Sequence, residues 1–180
     1  MAAKIRLQDS AQLVGRNIFV DANVLIYLFW PTGQHFYEQN YARVFRNLLR
    51  QGNNLFVDFL VISEIVNRAI TAEWEKYLLY HSLPKNQLKY KEYYNSQDGR
   101  DAINDIYIIV KQNILSRFNV IGKSFSQQDI ENFLIVDELG FVDKGIASIC
   151  LEHNFVLLTN DKDFKNSEID ILTGNPHILS

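Results

Sequence analysis

The chain has 180 residues, 47% of them apolar and 13% aromatic, with only 8 Gly and 3 Pro. This length predicts one domain over residues 1–180, and this composition is typical of a packed globule and excludes disordered and collagen-like chains. The net charge of −3 excludes the class of nucleic-acid-binding proteins that rely on a strongly basic surface.

The amino-terminal residues and the single cysteine favour a cytoplasmic protein. Residues 1–9 lack the apolar core of a signal peptide, and no apolar run is long enough to cross a bilayer, so we expect no membrane association. Cys150 has no partner for an internal disulfide. We therefore expect a reducing cytoplasmic environment and a small buried thiol at this position.

Acidic residues are concentrated in the second half of the sequence. Residues 1–90 contain ten Lys and Arg against seven Asp and Glu, a balance of +3. Residues 91–180 contain eight against fourteen, a balance of −6. A nucleic-acid partner would therefore need a local basic surface or a bridging metal ion.

Short apolar strands alternate with amphipathic helices along the sequence. Residues 17–21 form the first predicted strand, and the apolar run over 24–30 fits either a helix or a strand. Apolar residues then recur at helical spacing from Phe36 to the polar turn at 51–54. The remaining predicted strands are 55–59, 119–121, 155–158 and 169–172, and the remaining helical patterns cover 62–70, 101–117 and 142–153.

The second half contains one more helix and the strand most typical of a parallel sheet. Ser126 is expected to cap a helix that turns Ile130, Phe133 and Leu134 inward. The continuous apolar run over 155–158 is typical of a strand buried on both faces. The alternation of strands and helices predicts a three-layer α/β/α domain with a mainly parallel sheet.

Four acidic residues occupy equivalent places in this pattern. Asp21 and Asp161 lie just past predicted strands, and Glu64 and Asp143 lie in or near the first turn of predicted helices. In a parallel sheet these places share one edge, where ligands bind. Two carboxylates about 4 Å apart repel by roughly 4 kcal/mol at an effective dielectric near 20, so their convergence predicts a divalent cation.

The chemistry of these candidate ligands favours a hard cation. All of them offer oxygen, which suits Mg²⁺ or Mn²⁺, and the four histidines show no spacing typical of a zinc site. Each acid taken alone is as typical of a helix cap or a turn as of a metal ligand. Asp163 in particular either joins Asp161 on one metal ion or caps the segment that follows.

Four motifs in order resemble the PIN domain nucleases, a family that includes the toxin ribonucleases of bacterial type II toxin–antitoxin systems. They are Phe19-Val20-Asp21-Ala22-Asn23, Ser63-Glu64, Asp143-Lys144-Gly145-Ile146-Ala147 and Leu157-Leu158-Thr159-Asn160-Asp161-Lys162-Asp163-Phe164. The resemblance covers residues 17–70 and 125–172. It implies a PIN-like domain that hydrolyses RNA with one or two Mg²⁺ or Mn²⁺ ions, leaving a 5′-phosphate and a 3′-hydroxyl.

The resemblance also implies roles for individual residues. Asp21, Glu64, Asp143 and Asp161 match the family's acidic catalytic and metal-binding positions. The supporting positions are Asn23, two residues after the first acid, and Thr159 and Asp163, which flank the last acid. The partners implied are an RNA substrate, an antitoxin protein and, because such toxins often dimerise, a second copy of the chain.

The segment 71–120 departs from the compact toxins because it is longer than theirs, and it predicts an enlarged helical middle within the domain. Aromatic and basic residues alternate there, a combination that can bind single-stranded RNA through stacking and phosphate contacts. The candidate RNA-binding residues are Lys85, Lys89, Lys91, Tyr90 and Tyr93. The alternatives are a helical extension with a packed aromatic face, favoured about two to one, or a surface for dimerisation or antitoxin capture.

Four other functions compete with a ribonuclease toxin. A haloacid-dehalogenase-like phosphatase needs a second acid two residues after the first, where this chain has Asn23. A Toprim-like nuclease would use Glu64 with Asp161 and Asp163 but would leave Asp21 and Asp143 without a role. An RNA-processing PIN nuclease without an antitoxin, or a catalytically silent PIN scaffold that binds RNA or protein, also fits the motifs, although a scaffold has no need of mutually repelling carboxylates.

Overall fold

A parallel β-sheet forms the centre of the protein in the computed structural model, which describes residues 2–30 and 33–180. Within these residues the sheet has six strands in the order β1-β6-β5-β2-β3-β4, and every pair of neighbours is parallel. The strands are β1 Lys4–Arg6, β2 Asn17–Val20, β3 Asn54–Val57, β4 Asn119–Val120, β5 Val156–Leu158 and β6 Ile171–Thr173.

Helices connect the strands and cover the sheet. They are α1 Ala22–Phe29, α2 His35–Arg50, α3 Phe59–Tyr80, α4 Tyr90–Asn95, α5 Gln97–Ile109, α6 Gln127–Phe133, α7 Phe141–His153 and α8 Pro176–Leu179. Short 3₁₀ segments occupy Leu7–Gln12 and Lys162–Asn166, and a π-helical turn occupies Val110–Ile114. This architecture confirms the predicted α/β fold with a parallel sheet, and it makes the ambiguous run over 24–30 a helix.

The two central strands, β2 and β5, are neighbours in the sheet and are buried by the helices on both of its faces. Phe19 of β2 pairs with Leu157 of β5, and both side chains are fully buried. Strands β3 and β4 lie on one side of β2, and strands β5, β6 and β1 lie on its other side. The carboxyl ends of β2 and β5 therefore lie at a topological switch point, the usual ligand site of such sheets.

The middle segment is helical, as predicted. The second half of α3 packs against α4 and α5, and aromatic rings fill the space between them. The ring centroids of Trp74 and Tyr90 are 5.8 Å apart, and those of Tyr77 and Tyr93 are 5.2 Å apart. Ile103 and Ile106 of α5 are buried beneath this layer. Trp74, Tyr77, Tyr90 and Tyr93 therefore serve packing first, whereas Tyr80 is exposed.

The predicted inward face of α6 is wrong for Ile130 and Leu134, whereas Phe133 does face inward. Ser126 caps the helix as expected, since its side chain accepts from the backbone N–H of Asp129, but no residue of α6 is buried. Leu134 is 67% exposed, and Ile130 is also exposed. The physical reason is the shortness of the helix: its inner contact is the single ring of Phe133, which meets the rings of Phe125 and Phe141.

Two boundaries also differ from the sequence pattern. Residues 4–6 form an edge strand that the pattern did not predict, because three residues are too few to display an alternation. The strand predicted over 55–59 ends at Val57, since Asp58 caps α3 by accepting from the backbone N–H of Val61 at 2.8 Å. In the part of the chain that the structure describes, no helix is long and apolar enough to span a bilayer.

Candidate active site

A cleft lies at the switch point of the sheet, where β2 and β5 end side by side. The backbone N–H of Asp21 donates to the carbonyl of Leu158 at 3.1 Å and so fixes the two ends together. The cleft has a volume of about 550 Å³. We call it the acidic cleft, and it is lined by Asp21, Asn23, Leu60, Ser63, Glu64, Asn67, Arg68, Val142, Asp143 and Asp161. The four acids singled out by their places in the sequence therefore come from four elements to one cleft.

Asp21 is held rigidly at the floor of the acidic cleft, with only 6% of its surface exposed. Its Oδ1 accepts from the backbone N–H of Ala22 at 2.7 Å, and its Oδ2 accepts from Asn23 Nδ2 at 2.5 Å and from Thr159 Oγ1 at 2.6 Å. Burial nevertheless raises the pKa of Asp21 to about 7, and the negative charge of Glu64 adds to the increase. A carboxylate accepts about four hydrogen bonds, so one acceptor site remains for a ligand.

Thr159 and Asn23 connect the ends of the two central strands. The Thr159 hydroxyl donates to Asp21 and accepts from Asn23 Nδ2 at 3.2 Å and from the backbone N–H of Asp161 at 2.9 Å. These three bonds use its full capacity of one donor and two acceptors. Asn23 Oδ1 accepts from the backbone N–H of Asn160 at 3.1 Å, which fixes the loop after β5.

Tyr41 supports this loop from below, a role the sequence did not predict. Its hydroxyl lies 3.1 Å from the carbonyl of Thr159 and 3.0 Å from Asn160 Oδ1, and it accepts from the backbone N–H of Gly174 at 3.1 Å. The side chain is fully buried, and burial raises its pKa above the usual range for tyrosine. The helical pattern identified Tyr41 only as a core residue. A tyrosine hydroxyl at a core position needs a hydrogen-bond partner, and this is the signal that could have revealed the role.

Asp143 lies in the first turn of α7 and carries the clearest sign of charge repulsion. The pKa of Asp143 is raised to about 6, first by burial and then by the negative charges of Asp161, Asp163 and Glu64. Asp161 caps the following 3₁₀ segment by accepting from the backbone N–H of Asp163 at 3.0 Å. The Asp163 side chain is exposed and outside the acidic cleft, so its expected metal contact stays a prediction.

Glu64 projects into the acidic cleft from the second turn of α3. Its Oε1 lies 3.2 Å from Arg68 Nη1, one helical turn further along. Both side chains are nearly half exposed, and such pairs contribute little to stability. Glu64 is therefore free to exchange this partner for another cation.

The candidate RNA-binding residues of the middle segment lie outside the acidic cleft. Lys85 pairs with Glu75 at 2.6 Å and lies over the ring of Trp74, with its Nζ 5.4 Å from the centroid. The ring of Tyr93 is buried, and that of Tyr90 is half-buried against Trp74. The ion pair of Lys85 is exposed to solvent, and Lys89 and Lys91 are exposed as well, so all three side chains remain open to a ligand. RNA binding by this segment stays a prediction that rests mainly on these three lysines.

The side chains of the acidic cleft fit a hard divalent cation. Every candidate ligand offers carboxylate oxygen, and the pKa values of Asp21 and Asp143 are raised first by burial and then by neighbouring negative charges that a cation would offset. Within residues 2–30 and 33–180, no three Asp, Glu, His or Cys side chains are grouped closely enough to hold a metal ion alone. Mg²⁺ commonly keeps several waters and uses one or two protein carboxylates, so this open arrangement suits it.

Comparison with known proteins identifies the family. The PIN domain profile matches residues 18–169, which is most of the sequence, and the chain therefore belongs to the PIN domain family. PIN domains are generally nucleases. No curated protein matches the sequence.

Three solved structures are similar in overall fold. FitAcB from Neisseria gonorrhoeae has a TM-score of 0.52 at 14% identity, over 86% of this chain and 96% of that one. VapBC2 from Rickettsia felis, bound to a DNA fragment from the VapBC2 promoter, has a TM-score of 0.48 at 17% identity, over 87% of this chain and 98% of that one. PAE2754 from Pyrobaculum aerophilum has a TM-score of 0.49 at 16% identity, over 92% of this chain and 88% of that one. The likeness to FitAcB supports the PIN fold and carries no statement about activity.

Proposed function

We propose that this protein is a metal-dependent endoribonuclease that hydrolyses RNA phosphodiester bonds in the acidic cleft. The observation that supports the proposal is the convergence of Asp21, Glu64, Asp143 and Asp161 in a PIN domain. They come from the end of β2, from α3, from α7 and from the loop after β5. A structural role would not need four carboxylates in one cleft, where the negative charge of Glu64 adds to the raised pKa values of Asp21 and Asp143.

The four acids would hold one or two Mg²⁺ or Mn²⁺ ions, and Asp163 would be a further ligand from outside the acidic cleft. Such ions supply an activated water and neutralise the charge that develops on the leaving oxygen. The contribution of the chain is orientation: Asn23 and Thr159 donate to one oxygen of Asp21 and fix its carboxylate plane. Tyr41 holds the loop that places Asp161.

Two other hydrolases fit the site less well. A phosphatase of the haloacid dehalogenase type needs an acid at position 23, where the amide of Asn23 is instead engaged with Asp21 and with the backbone of Asn160. A Toprim-like nuclease would place Asp163 in the site and leave Asp21 outside it. The acidic cleft has the opposite arrangement, because Asp21 lines it and Asp163 does not.

We further propose that the protein is the toxin of a type II toxin–antitoxin pair in the cytoplasm. The support is the resemblance of the four motifs to that group of PIN nucleases. An antitoxin and a second copy of the chain are then the expected protein partners. A small gene immediately upstream would favour this assignment, whereas an isolated gene would favour an RNA-processing PIN nuclease.

Cleavage of a mixed-sequence RNA labelled at its 5′ end tests the activity. Wild type, Asp143→Asn and Asp105→Asn are compared in EDTA, Mg²⁺ and Mn²⁺. Asp105 is an exposed acid on α5, outside the acidic cleft, so it matches the charge change. We expect metal-dependent cleavage by wild type and Asp105→Asn, and a loss of about 100-fold or more in Asp143→Asn.

Two results would contradict the proposal. Cleavage that persists in EDTA, or that Asp143→Asn retains, would remove the acidic cleft from the reaction. Folded wild-type protein that cleaves no RNA under any condition, yet binds RNA or protein, would favour the silent PIN scaffold.

A further inference from the structure

Arg68 is the one cationic side chain that lines the acidic cleft in the part of the chain that the structure describes. It projects from α3 one turn beyond Glu64, and 49% of its side chain is exposed. Its only ion pair among the described residues is the 3.2 Å contact with Glu64, which solvent screens. The guanidinium is therefore accessible to a ligand that enters the cleft.

Arg68 also lines two further depressions along α3. The first has a volume of about 330 Å³ and lies over Asn67, Thr71, Ala72 and Glu75. The second has a volume of about 440 Å³ and is mainly apolar, with Ile26, Trp30, Ala72, Glu75, Lys76 and Leu79 among its lining residues. Arg68 lines both depressions and the acidic cleft, so the three adjoin one another along α3. We call the two depressions together the α3 groove.

The charges along this path suit a nucleic-acid strand. An RNA that places one phosphate among the four acids must place neighbouring phosphates nearby, where carboxylates would repel them. A guanidinium binds phosphate through two parallel N–H donors, and Arg68 lies at the edge of the acids, where such a neighbour would pass. Further along the path the charges are balanced, because Lys76 pairs with Glu73 at 2.7 Å and Glu75 pairs with Lys85 at 2.6 Å, so Arg68 is the cation that favours a phosphate.

The shape of the α3 groove suits unpaired bases. Sequence-tolerant recognition of single-stranded RNA places unstacked bases against apolar and aromatic surfaces beside a charged backbone track. The second depression supplies a mainly apolar surface next to the charge of Arg68, with Leu79, which is 82% exposed, open to a ligand; Trp30 and Ile26 also line it but are only 7% exposed.

We propose that Arg68 binds a backbone phosphate adjacent to the one that is hydrolysed, and that the single RNA strand continues from the acidic cleft into the α3 groove. This inference rests on the proposed ribonuclease function. It makes Arg68 a substrate-binding residue and α3 the track that the strand follows.

Binding of a fluorescein-labelled 12-nucleotide oligouridine tests the phosphate contact. Anisotropy is measured between 50 and 200 mM salt in the Asp143→Asn background, which removes cleavage. Adding Arg68→Gln should weaken binding roughly tenfold and should lower the slope of log affinity against log salt by about 0.7, as one lost phosphate contact predicts. Arg68→Lys keeps the charge and should retain most of the slope. Arg43→Gln, an exposed arginine on α2 outside the acidic cleft and the α3 groove, is the matched control and should change neither.

A second variant tests the path of the strand. Ala72 lines both depressions, so Ala72→Trp should fill the α3 groove. It should weaken binding of the 12-nucleotide RNA and leave binding of a dinucleotide unchanged. Equal weakening for both lengths, or none for either, would overturn the proposed path.

The outcomes separate this inference from the function on which it rests. Wild-type protein that neither cleaves nor binds RNA would refute the ribonuclease proposal itself. Wild-type cleavage with an unchanged KM and salt slope in Arg68→Gln would refute the role of Arg68 alone. A lower kcat with unchanged KM and slope would also refute phosphate binding, because it would mean that Arg68 only positions Glu64.

Discussion

Removing the carboxylate of Asp143 should stabilise the protein when no metal ion is present. The folded state raises the pKa of this group from 3.8 to about 6, so the folded chain binds a proton at Asp143 more tightly than the unfolded chain. Wild type therefore loses stability as the pH rises from about 4 through 6, and Asp143→Asn does not. A shift of about two pKa units corresponds to roughly 3 kcal/mol, which partial exposure of the side chain reduces to about 1–2 kcal/mol.

Urea unfolding followed by circular dichroism in EDTA measures this difference. We expect the two proteins to have similar free energies of unfolding at pH 4, and Asp143→Asn to be more stable by about 1–2 kcal/mol at pH 7.5. Asp129→Asn is the control of opposite sign, because Ser126 holds the pKa of Asp129 below its usual value. Asp129→Asn should be less stable than wild type at pH 7.5, and this difference should become smaller as the pH falls. An Asp143→Asn protein less stable than wild type at pH 7.5 would show that this carboxylate supports the fold.

Three further predictions test the metal, the network and the middle segment. Mg²⁺ or Mn²⁺ should raise the melting temperature of wild type but not of Asp21→Asn. The affinity of wild type for Mn²⁺, measured by titration calorimetry, should rise between pH 6 and 8, because protons then cease to compete for Asp21. A pH-independent affinity would count against ligation by Asp21. Thr159→Val should lower the free energy of unfolding by about 1–3 kcal/mol in thermal or urea unfolding, since the oxygen of buried Asp21 loses a donor. Joint replacement of Lys85, Lys89 and Lys91 by Gln should weaken RNA binding and flatten its salt dependence, and unchanged binding would assign the middle segment to packing alone.

The placement of the four acids was predictable because it depends on local signals. A strand is recognised by its apolar run, and the residue that follows a parallel strand lies at a known edge of the sheet. Asp21 and Asp161 follow from this rule alone. Glu64 and Asp143 follow from their positions near the starts of helices.

The supporting residues were not predictable because their partners are distant in sequence. Tyr41 contacts Thr159 and Gly174, which lie 118 and 133 residues further along the chain. In the sequence, Arg68 is indistinguishable from any other exposed helical arginine, because the depressions beside it are visible only in the structure. The three-residue strand β1 likewise has no local signature, and its pairing with β6 near the other end of the chain defines it.

The bond between Asp21 and Thr159 also determines when the acidic cleft comes into existence. The two residues are 138 positions apart, and β5 must pair with β2 before the hydroxyl can reach the carboxylate. On a translating ribosome the cleft therefore cannot assemble until α7 and the loop after β5 have emerged. A nascent chain that still lacks these elements has no assembled site.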